Sequence, residues 1–279
     1  MKKLFALILT LLFAVVLTAC GSSDKQSENK KSGSKEDKKI VVGASPAPHA
    51  ELLEQVKPIL EKEGYDLEIK IINDYTTPNR LLDEGELDAN FFQHTPYLET
   101  EKKSKGYKIE SAGNVHIEPM AVYSKKYKSL EDLPKGATVY VSNNPAEEGR
   151  FLSFFTKAGL IELKEGTDPV KATFQDIKTN KKDIKFNNKQ AGEFVPKTYQ
   201  NGEGDATIIN SNFAFENELS PVKDSIALED KDSPYANLIA VQQGHKNDAK
   251  IKALVKALQS DEIVKFIEDN YDGAVIPAK

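Results

Sequence analysis

Residues 40–72 read IVVGASPAPHAELLEQVKPILEKEGYDLEIKII, and this stretch decides the fold. It begins with an apolar run, Ile40 to Ala44, of the kind that forms a buried parallel strand. Apolar residues then recur at helical spacing until Gly64, a residue suited to ending a helix. A second strand-like run follows at residues 67–72. Strand, helix and strand in this order predict a right-handed βαβ unit with parallel strands.

The same alternation continues along the chain and sets the predicted fold class. A long strand at 115–123 is expected to leave the first lobe, a strand at 138–142 to open a second, and a strand at 238–241 to return. Such alternation predicts an α/β protein with mostly parallel sheets flanked by helices. We expect a ligand cleft between two lobes. The predicted divisions are a first lobe at 40–123, a second lobe at 124–236 and a return to the first lobe at 237–279.

The N-terminus has the order of charged and apolar residues found in a secretory signal. Lys2 and Lys3 precede sixteen uncharged residues that lead up to Cys20, the single cysteine. As a helix, that run spans about 24 Å, short of the roughly 30 Å of a bilayer core, so a transmembrane anchor is the weaker interpretation. Small residues before a cysteine resemble a bacterial lipobox, which predicts a signal peptide at 1–19 and lipid on Cys20. A buried unpaired thiol is the alternative. Residues 20–39, polar after the cysteine, predict a disordered tether.

Composition excludes several classes of protein. No cysteine follows Cys20, which excludes a disulfide framework and a thiolate metal site. The formal charge is −5, and loss of the two lysines of the signal peptide makes it −7. An acidic chain without a basic face is a poor candidate for nucleic-acid binding. The sequence has no phosphate loop, no Gly-x-Ser-x-Gly elbow and no His-Glu-x-x-His motif, so we expect neither an ATPase nor a serine hydrolase. Our prediction is a protein that is not an enzyme and has no cofactor.

Metal binding remains a competing function at this point. His116 and Glu118 lie two residues apart, so they share one face of a strand and offer two ligands. The remaining histidines are His49, His94 and His245, and no two of the four are close in sequence. The sequence also has no histidine-rich loop. We therefore predict no metal site.

Residues 143–150, NNPAEEGR, follow a predicted strand and open a predicted helix. Asn144 suits the N-cap and Pro145 the first helical position, and Glu147 at the third can fold back as in a capping box. The free N–H groups of a helix N-terminus attract anions. Arg150 could fork onto a ligand carboxylate. The alternative is that Arg150 pairs with Glu147 or another acid on the surface.

Residues 88–98, DANFFQHTPYL, carry the chain from a strand into a helix. Their rings fall at the carboxyl end of a strand, where the cleft of an open sheet lies. An apolar ligand tail could pack against Phe92, His94 and Tyr97 there. An ordinary core cluster with a satisfied histidine is the alternative.

Six segments behind the lipobox together resemble the NlpA-type methionine-binding lipoproteins. In chain order they are GASPAPHAELL (43–53), DANFFQHTPYL (88–98), NNPAEEGR (143–150), INSNFA (209–214), SPYANLI (233–239) and YDGAV (271–275). The resemblance covers essentially the whole mature chain. It implies a two-lobed fold like that of type II periplasmic binding proteins, and a protein that delivers methionine to an ATP-driven permease.

Position by position, the resemblance implies that Arg150 holds the ligand carboxylate and that Asn210 and Asn237 hold the polar head. The residues that resemble those enclosing the thioether tail are Tyr75, Phe92, His94 and Tyr97. Contacts between sulfur and aromatic rings contribute about 0.3–1.5 kcal/mol each. The family often has Asp-Pro-Thr-Asn where this chain has Asn-Pro-Ala-Glu. Glu147 therefore replaces an uncharged residue near the polar head, where it either caps the helix or faces the ligand's ammonium group.

These implications define an expected function. The protein is expected to sit on the extracytoplasmic face of the cell membrane through lipid on Cys20. There it would capture L-methionine, with D-methionine as a second candidate, and pass it to an ABC permease whose ATPase is a separate subunit. The alternatives are a binder of a methionine-containing dipeptide or of another amino acid, a metal-binding lipoprotein, and a surface adhesin that needs no pocket.

Overall fold

The computed structural model describes residues 38–278. The predicted signal peptide, the lipid site at Cys20 and all but the last two residues of the predicted tether lie outside the described residues. Between residues 38 and 278, every helix is too short or too polar to cross a bilayer.

The described chain alternates strands and helices. The strands are β1 (Lys39–Ala44), β2 (Asp66–Ile71), β3 (Ala89–His94), β4 (Ile109–Ile117), β5 (Ala121–Tyr123), β6 (Thr138–Ser142), β7 (Ile161–Leu163), β8 (Ile177–Asn180), β9 (Lys185–Gln190), β10 (Ala206–Ile209), β11 (Ala227–Leu228), β12 (Ala236–Gln242) and β13 (Ile276–Pro277). The α-helices are α1 (Glu51–Lys62), α2 (Thr77–Asp83), α3 (Thr95–Lys105), α4 (Glu148–Lys157), α5 (Val195–Gln200), α6 (Ser211–Glu216), α7 (Ala249–Leu258) and α8 (Asp261–Tyr271).

The first sheet has six strands in the order β13-β4-β12-β3-β1-β2. β1 pairs in parallel with β2 and β3, with α1 and α2 in the connections, so the predicted βαβ unit is confirmed. α1 ends before Gly64, whose φ of +84° few other residues adopt without strain. The apolar face of α1 is buried in the core of this sheet, at about 1.5–3 kcal/mol for each large side chain. Its buried residues are Leu52, Leu53, Val56 and Leu60.

The second sheet has five strands in the order β11-β5-β10-β6-β9. β6 is parallel to both β9 and β10, whereas β5 is antiparallel to β10 and β11. α4 covers this sheet with an apolar face that includes Phe151, Leu152 and Phe155, each with no exposed surface. β7 and β8 form a separate two-stranded antiparallel ladder.

The α/β class with sheets flanked by helices is confirmed, but the prediction of mostly parallel sheets is wrong. Two of the five strand pairs in the first sheet are parallel, and two of the four in the second. The physical reason lies in the connections between the sheets. The chain enters the second sheet on β5 and returns to the first on β12, and both strands run opposite to their neighbours.

The predicted long strand at 115–123 is two strands in different sheets. β4 ends at Ile117 and β5 begins at Ala121, so the chain changes sheets at residues 118–120. Pro119 lacks an N–H for a sheet ladder, and the N–H of Met120 donates to the carboxylate of Glu229 at 3.0 Å instead. The division at 123 therefore falls three residues past the observed change of sheet. The division into lobes stays a proposal.

Candidate functional site

One cavity is lined by residues from both sheets. Residues at the β3–α3 junction and the start of β12 approach it from the first sheet, and those at the start of α4 and the β10–α6 junction from the second. All seven residues predicted to contact a ligand line it. Its lining consists of Tyr75, Phe92, Gln93, His94, Tyr97, Glu118, Asn144, Glu147, Arg150, Asn210, Ser211, Asn212 and Asn237.

Three aromatic rings form the apolar end of the cavity. The ring centroid of Tyr75 lies 5.9 Å from that of Phe92 and 6.0 Å from that of Tyr97. The hydroxyl of Tyr97 donates to the backbone carbonyl of Tyr75 at 2.7 Å, which fixes the two residues relative to each other. These rings therefore line the cavity as well as packing against one another.

His94 joins the aromatic end to the polar end. It is the N-cap of α3, where its Nδ1 accepts from the backbone N–H of Tyr97 at 3.2 Å. A neutral imidazole that accepts at Nδ1 carries its proton on Nε2. That Nε2 lies 3.4 Å from Oε1 of Glu147, to which it donates. The tautomer of His94 is thus set by the start of its own helix.

Arg150 is buried, 4 % exposed, so the alternative is wrong about the surface location but right that Arg150 pairs with acids, here Glu229 and Glu147. Its Nε and Nη2 both donate to the carboxylate of Glu229, at 3.1 and 2.6 Å. Nη2 also donates to the backbone carbonyl of Glu118 at 2.8 Å, and the ring of Tyr235 lies 4.5 Å from the guanidinium carbon. Burial by itself would lower the pKa of Arg150, but the charge and hydrogen bonds of Glu229 raise it above its ordinary value. Nη1 makes no hydrogen bond to another described residue and lies 3.6 Å from Oε1 of Glu147.

Glu147 is fully buried, and its carboxylate faces the cavity. Oε1 accepts from Nδ2 of Asn210 at 2.6 Å and lies 3.6 Å from Nη1 of Arg150, while Oε2 accepts from the hydroxyl of Ser142 at 3.2 Å. Burial opposes ionisation, but the hydrogen bond from His94 and the charge of Arg150 lower the pKa of Glu147. We therefore treat Glu147 as an anion.

The predicted N-cap is confirmed, and the predicted capping box is wrong. The side chain of Asn144 accepts from the backbone N–H of Ala146 at 3.0 Å and caps a 3-10 turn over Pro145–Glu147 that precedes α4. The carboxylate of Glu147 does not fold back onto this turn, because Asn210 and Ser142 draw it into the cavity.

Three asparagines complete the polar end, and each has one end of its amide already engaged. Asn210 donates through Nδ2 to Glu147, which leaves Oδ1 as an acceptor. Oδ1 of Asn237 lies 3.1 Å from Nε2 of His49, which leaves Nδ2 as a donor. Oδ1 of Asn212 accepts from the hydroxyl of Tyr75 at 2.7 Å, and its buried Nδ2 has no partner among the described residues. The cavity therefore offers fixed donors and acceptors at known positions.

Sequence reasoning missed Glu229, Tyr235 and Asn212 as members of this site. Tyr235 and Asn212 lie inside the segments SPYANLI and INSNFA, so the resemblance could have pointed to them. Glu229 has no signal of its own, because it opens the acidic run EDKD. Its role depends on the fold, which brings Glu229 into contact with Arg150 although the two are 79 residues apart in sequence.

A second polar cluster lies next to the cavity. His49 and His116, far apart in sequence, have ring centroids 5.0 Å apart, and their Nε2 atoms lie 3.2 and 2.7 Å from Oε1 of Glu118. These donor atoms all fall within 4.8 Å of one another, the separation that a metal ion would need. Burial lowers the pKa of His49 to about 4 and that of His116 to about 3, so both rings are neutral near pH 7.

Comparison with known proteins gives matches over most or nearly all of the chain. A profile of the family described as NlpA lipoprotein matches residues 40–279. The methionine-binding lipoprotein MetQ of Bacillus subtilis is 50 % identical over 279 residues, which cover 99 % of each chain.

Solved structures agree with this match. A nutrient-binding protein from Burkholderia cenocepacia, solved bound to methionine, is 44 % identical with a TM-score of 0.81, over 86 % of this chain and all of that one. The periplasmic substrate-binding protein of an ABC transporter from Coxiella burnetii is 37 % identical with a TM-score of 0.80, over 86 % of this chain and all of that one.

Proposed function

The chain belongs to the NlpA lipoprotein family, and from this premise we propose that it captures methionine and delivers it to an ABC permease. We also propose that lipid on Cys20 holds it at the extracytoplasmic face of the cell membrane. The protein acts by binding alone, and ATP is hydrolysed on a separate subunit of the transporter. The observation that carries this proposal is the single cavity that gathers all seven predicted contacts.

The polar end of the cavity suits a zwitterion with one defined orientation. Donors remain at Nη1 of Arg150, Nδ2 of Asn237 and Nδ2 of Asn212, so the carboxylate of the ligand is assigned to this group. Acceptors remain at Oδ1 of Asn210 and on the carboxylate of Glu147, so the ammonium group is assigned there.

The aromatic end suits an uncharged tail that contains sulfur. Tyr75, Phe92 and Tyr97 surround the space that the side chain of methionine would enter, and sulfur is attracted to aromatic rings. Methionine is small, yet its heavy atoms could contribute up to about 1.5 kcal/mol each. Roughly 8 kcal/mol is enough for a micromolar Kd. Tight binding of this ligand is therefore within physical reach.

The ligand must contact both walls of the cavity if binding is to change the conformation that the permease recognises. The aromatic rings lie on the wall next to the first sheet, and Arg150 and Asn210 lie on the wall next to the second sheet. A ligand that contacts both sides favours the arrangement in which they are close together, because only differential contacts shift a population.

A methionine-containing dipeptide is the second candidate. A neighbouring cavity, open to solvent beside α3, shares Tyr75, Tyr97 and Asn144 with the first and offers room beyond the aromatic wall. A second residue of the ligand could extend into it.

Isothermal titration calorimetry of the purified protein tests the proposal. The ligands are L-methionine, D-methionine, Gly-Met, other amino acids and Zn²⁺, after removal of any carried-over ligand by unfolding and refolding. Heat from L-methionine with one site per chain is the expected result. Heat from Gly-Met alone would favour the second candidate, and no heat from any amino acid or dipeptide would overturn the proposal.

A further inference from the structure

The cluster of His49, His116 and Glu118 has no assigned role in the proposed binding of methionine, although Glu118 lines the cavity and the two histidines lie next to it. His49 lies in the turn after β1, His116 in β4, and Glu118 in the link between the two sheets. The three side chains are between 0 and 7 % exposed. Such a concentration of buried polar groups needs a reason, because each one loses its hydration on folding.

The protonation of the cluster follows from its hydrogen bonds. Nε2 of His116 faces Oε1 of Glu118 at 2.7 Å, and Nε2 of His49 faces Oε1 of Glu118 at 3.2 Å and Oδ1 of Asn237 at 3.1 Å. Every neighbour of these two nitrogens is an acceptor, so both carry a proton. The Nδ1 atoms of both rings are buried without a partner among the described residues.

A metal ion does not fit this arrangement. It would need the lone pairs of both Nε2 atoms, which here donate to oxygen. A histidine that binds a metal almost always donates its other ring nitrogen to an acceptor, and neither Nδ1 has one. The neighbours of both rings on the other side include the ring of Phe91, with centroids 4.7 and 5.3 Å away.

The cluster connects instead to two residues of the ligand site. Nε2 of His49 donates to Oδ1 of Asn237, and this bond decides which end of the Asn237 amide faces the cavity. The backbone carbonyl of Glu118 accepts from Nη2 of Arg150 at 2.8 Å. His49, which does not line the cavity, can thus set the direction of a group that does.

We infer that His49 is a positioning residue, which, supported by Glu118 and His116, holds the Asn237 amide with its Nδ2 toward the ligand carboxylate. The inference rests on the proposed function. Without the donor at His49, the amide of Asn237 is free to rotate and to present its oxygen to the carboxylate, which repels it. Removing the imidazole of His49 should therefore lower the affinity for the ligand as well as the stability of the protein.

The test measures the Kd of L-methionine by calorimetry for His49→Ala, His49→Gln, Asn237→Ala and the double variant His49→Ala/Asn237→Ala. Glutamine places an amide N–H near the position of Nε2, so it keeps the donor. We expect His49→Ala to raise the Kd about tenfold, a typical effect of losing one polar contact, and His49→Gln to stay within about threefold of the wild type. The double variant should bind no more weakly than Asn237→Ala, because His49 acts through Asn237.

Two controls separate this role from mere stability. His245→Ala removes an exposed histidine and should leave the Kd unchanged. The thermal stability of each variant is measured by circular dichroism. If His49→Ala does not fold, His49→Asn takes its place in the comparison with His49→Gln, because the shorter asparagine side chain cannot bring its donor to Asn237.

The outcomes are distinct. An unchanged Kd in His49→Ala, or additive losses in the double variant, would overturn the inference while leaving the proposed function intact. An unchanged Kd in Asn237→Ala would remove Asn237 from the site and weaken the proposed function itself. Stoichiometric binding of Zn²⁺ to the wild type that His49→Ala abolishes would overturn the inference in favour of a metal site.

Discussion

The two ends of the cavity are built in opposite ways. At the aromatic end, Tyr75, Phe92 and Tyr97 offer ring faces, and one hydrogen bond between Tyr97 and Tyr75 is enough to hold two of them. At the polar end, almost every side chain is oriented by another buried side chain, as Arg150 is by Glu229 and Glu147 is by Asn210.

This difference predicts how each end responds to change. A ring can lose some contacts with the ligand while the rest remain, because dispersion contacts are many and weak. A buried charge that loses its partner is left without compensation, and the resulting loss is several kcal/mol. Substitutions at the polar end should therefore have large, coupled effects, and those at the aromatic end small, graded ones.

The largest effect is expected for Arg150→Ala. It removes the donor for the carboxylate and leaves Glu229 and Glu147 buried without their cation. We expect the Kd of L-methionine to rise at least tenfold and the free energy of unfolding to fall by about 3–5 kcal/mol. Calorimetry and urea unfolding measure the two.

The chain contains a matched control for this variant. Arg80, the other arginine, is half exposed and pairs with Glu84 one turn away, so Arg80→Ala should change neither quantity by much. In Arg150→Met/Glu229→Gln, stability should recover while affinity does not. Wild-type affinity in either Arg150 variant would contradict the assigned role of Arg150.

Glu147→Gln is expected to act next most strongly, and on specificity. A carboxylate that meets an ammonium group forms a charge-assisted hydrogen bond, so its loss should raise the Kd of L-methionine about tenfold. N-formylmethionine has no ammonium group, so its binding, weak in the wild type, should not weaken further. Calorimetry with both ligands gives the ratio of the two Kd values.

Glu148→Gln is the control for this prediction, because the Glu148 carboxylate accepts from the N–H of Phe174 and does not line the cavity. If the ratio of the Kd values for N-formylmethionine and L-methionine is the same in Glu147→Gln as in the wild type, Glu147 does not contact the ammonium group of the ligand and has only a structural role.

The histidine cluster should make stability depend on pH. Burial lowers the pKa of His49 to about 4 and of His116 to about 3, so between about pH 6.5 and 4 the unfolded chain binds protons that the folded chain does not. Stability therefore falls as the pH falls through this window, by up to about 1.4 kcal/mol per pH unit for each histidine. Burial raises the pKa of Glu118, which opposes this trend.

Urea unfolding at pH 7, 6 and 5 measures the slope. His116→Gln should make it shallower, whereas His245→Gln, at an exposed site, should leave it nearly as in the wild type. Equal slopes in the wild type and His116→Gln would contradict the assigned neutrality of His116.

The smallest effect is expected at the aromatic end. Phe92→Leu keeps an apolar side chain but removes one ring face, so affinity for L-methionine should fall by at most about tenfold. The affinity for norleucine, in which a methylene replaces the sulfur, should fall less. The ratio of the Kd values for norleucine and methionine should therefore decrease. Phe174→Leu is the control, because Phe174 stacks on Phe186 away from the cavity. A larger loss of affinity in Phe92→Leu than in Arg150→Ala would contradict the proposed difference between the two ends.

Spacing in the sequence groups part of the aromatic end but none of the paired residues at the polar end, for a physical reason. Phe92, His94 and Tyr97 lie within six residues, so their shared position at a strand end is visible from spacing alone. The partners at the polar end are distant: Arg150 meets Glu229 across 79 residues and Asn210 meets Glu147 across 63. Only the folded chain brings those pairs together.

The fold shows the same limit. Local periodicity predicted β1, α1 and β2, which are neighbours in sequence. The direction of β12 beside β3 and the break of the predicted strand at 115–123 depend on partners far along the chain, among them Glu229, which takes the N–H of Met120.

Where methionine lies inside the cavity can be seen directly by crystallising the unlabelled protein with L-selenomethionine and measuring the anomalous signal of selenium. The ligand then carries the selenium, so one strong peak marks the end of its tail. We predict that peak among the rings of Tyr75, Phe92 and Tyr97, with the carboxylate against Nη1 of Arg150. A selenium peak elsewhere on the protein, or a tail pointing toward Arg150, would contradict a site that holds a zwitterion between unlike ends.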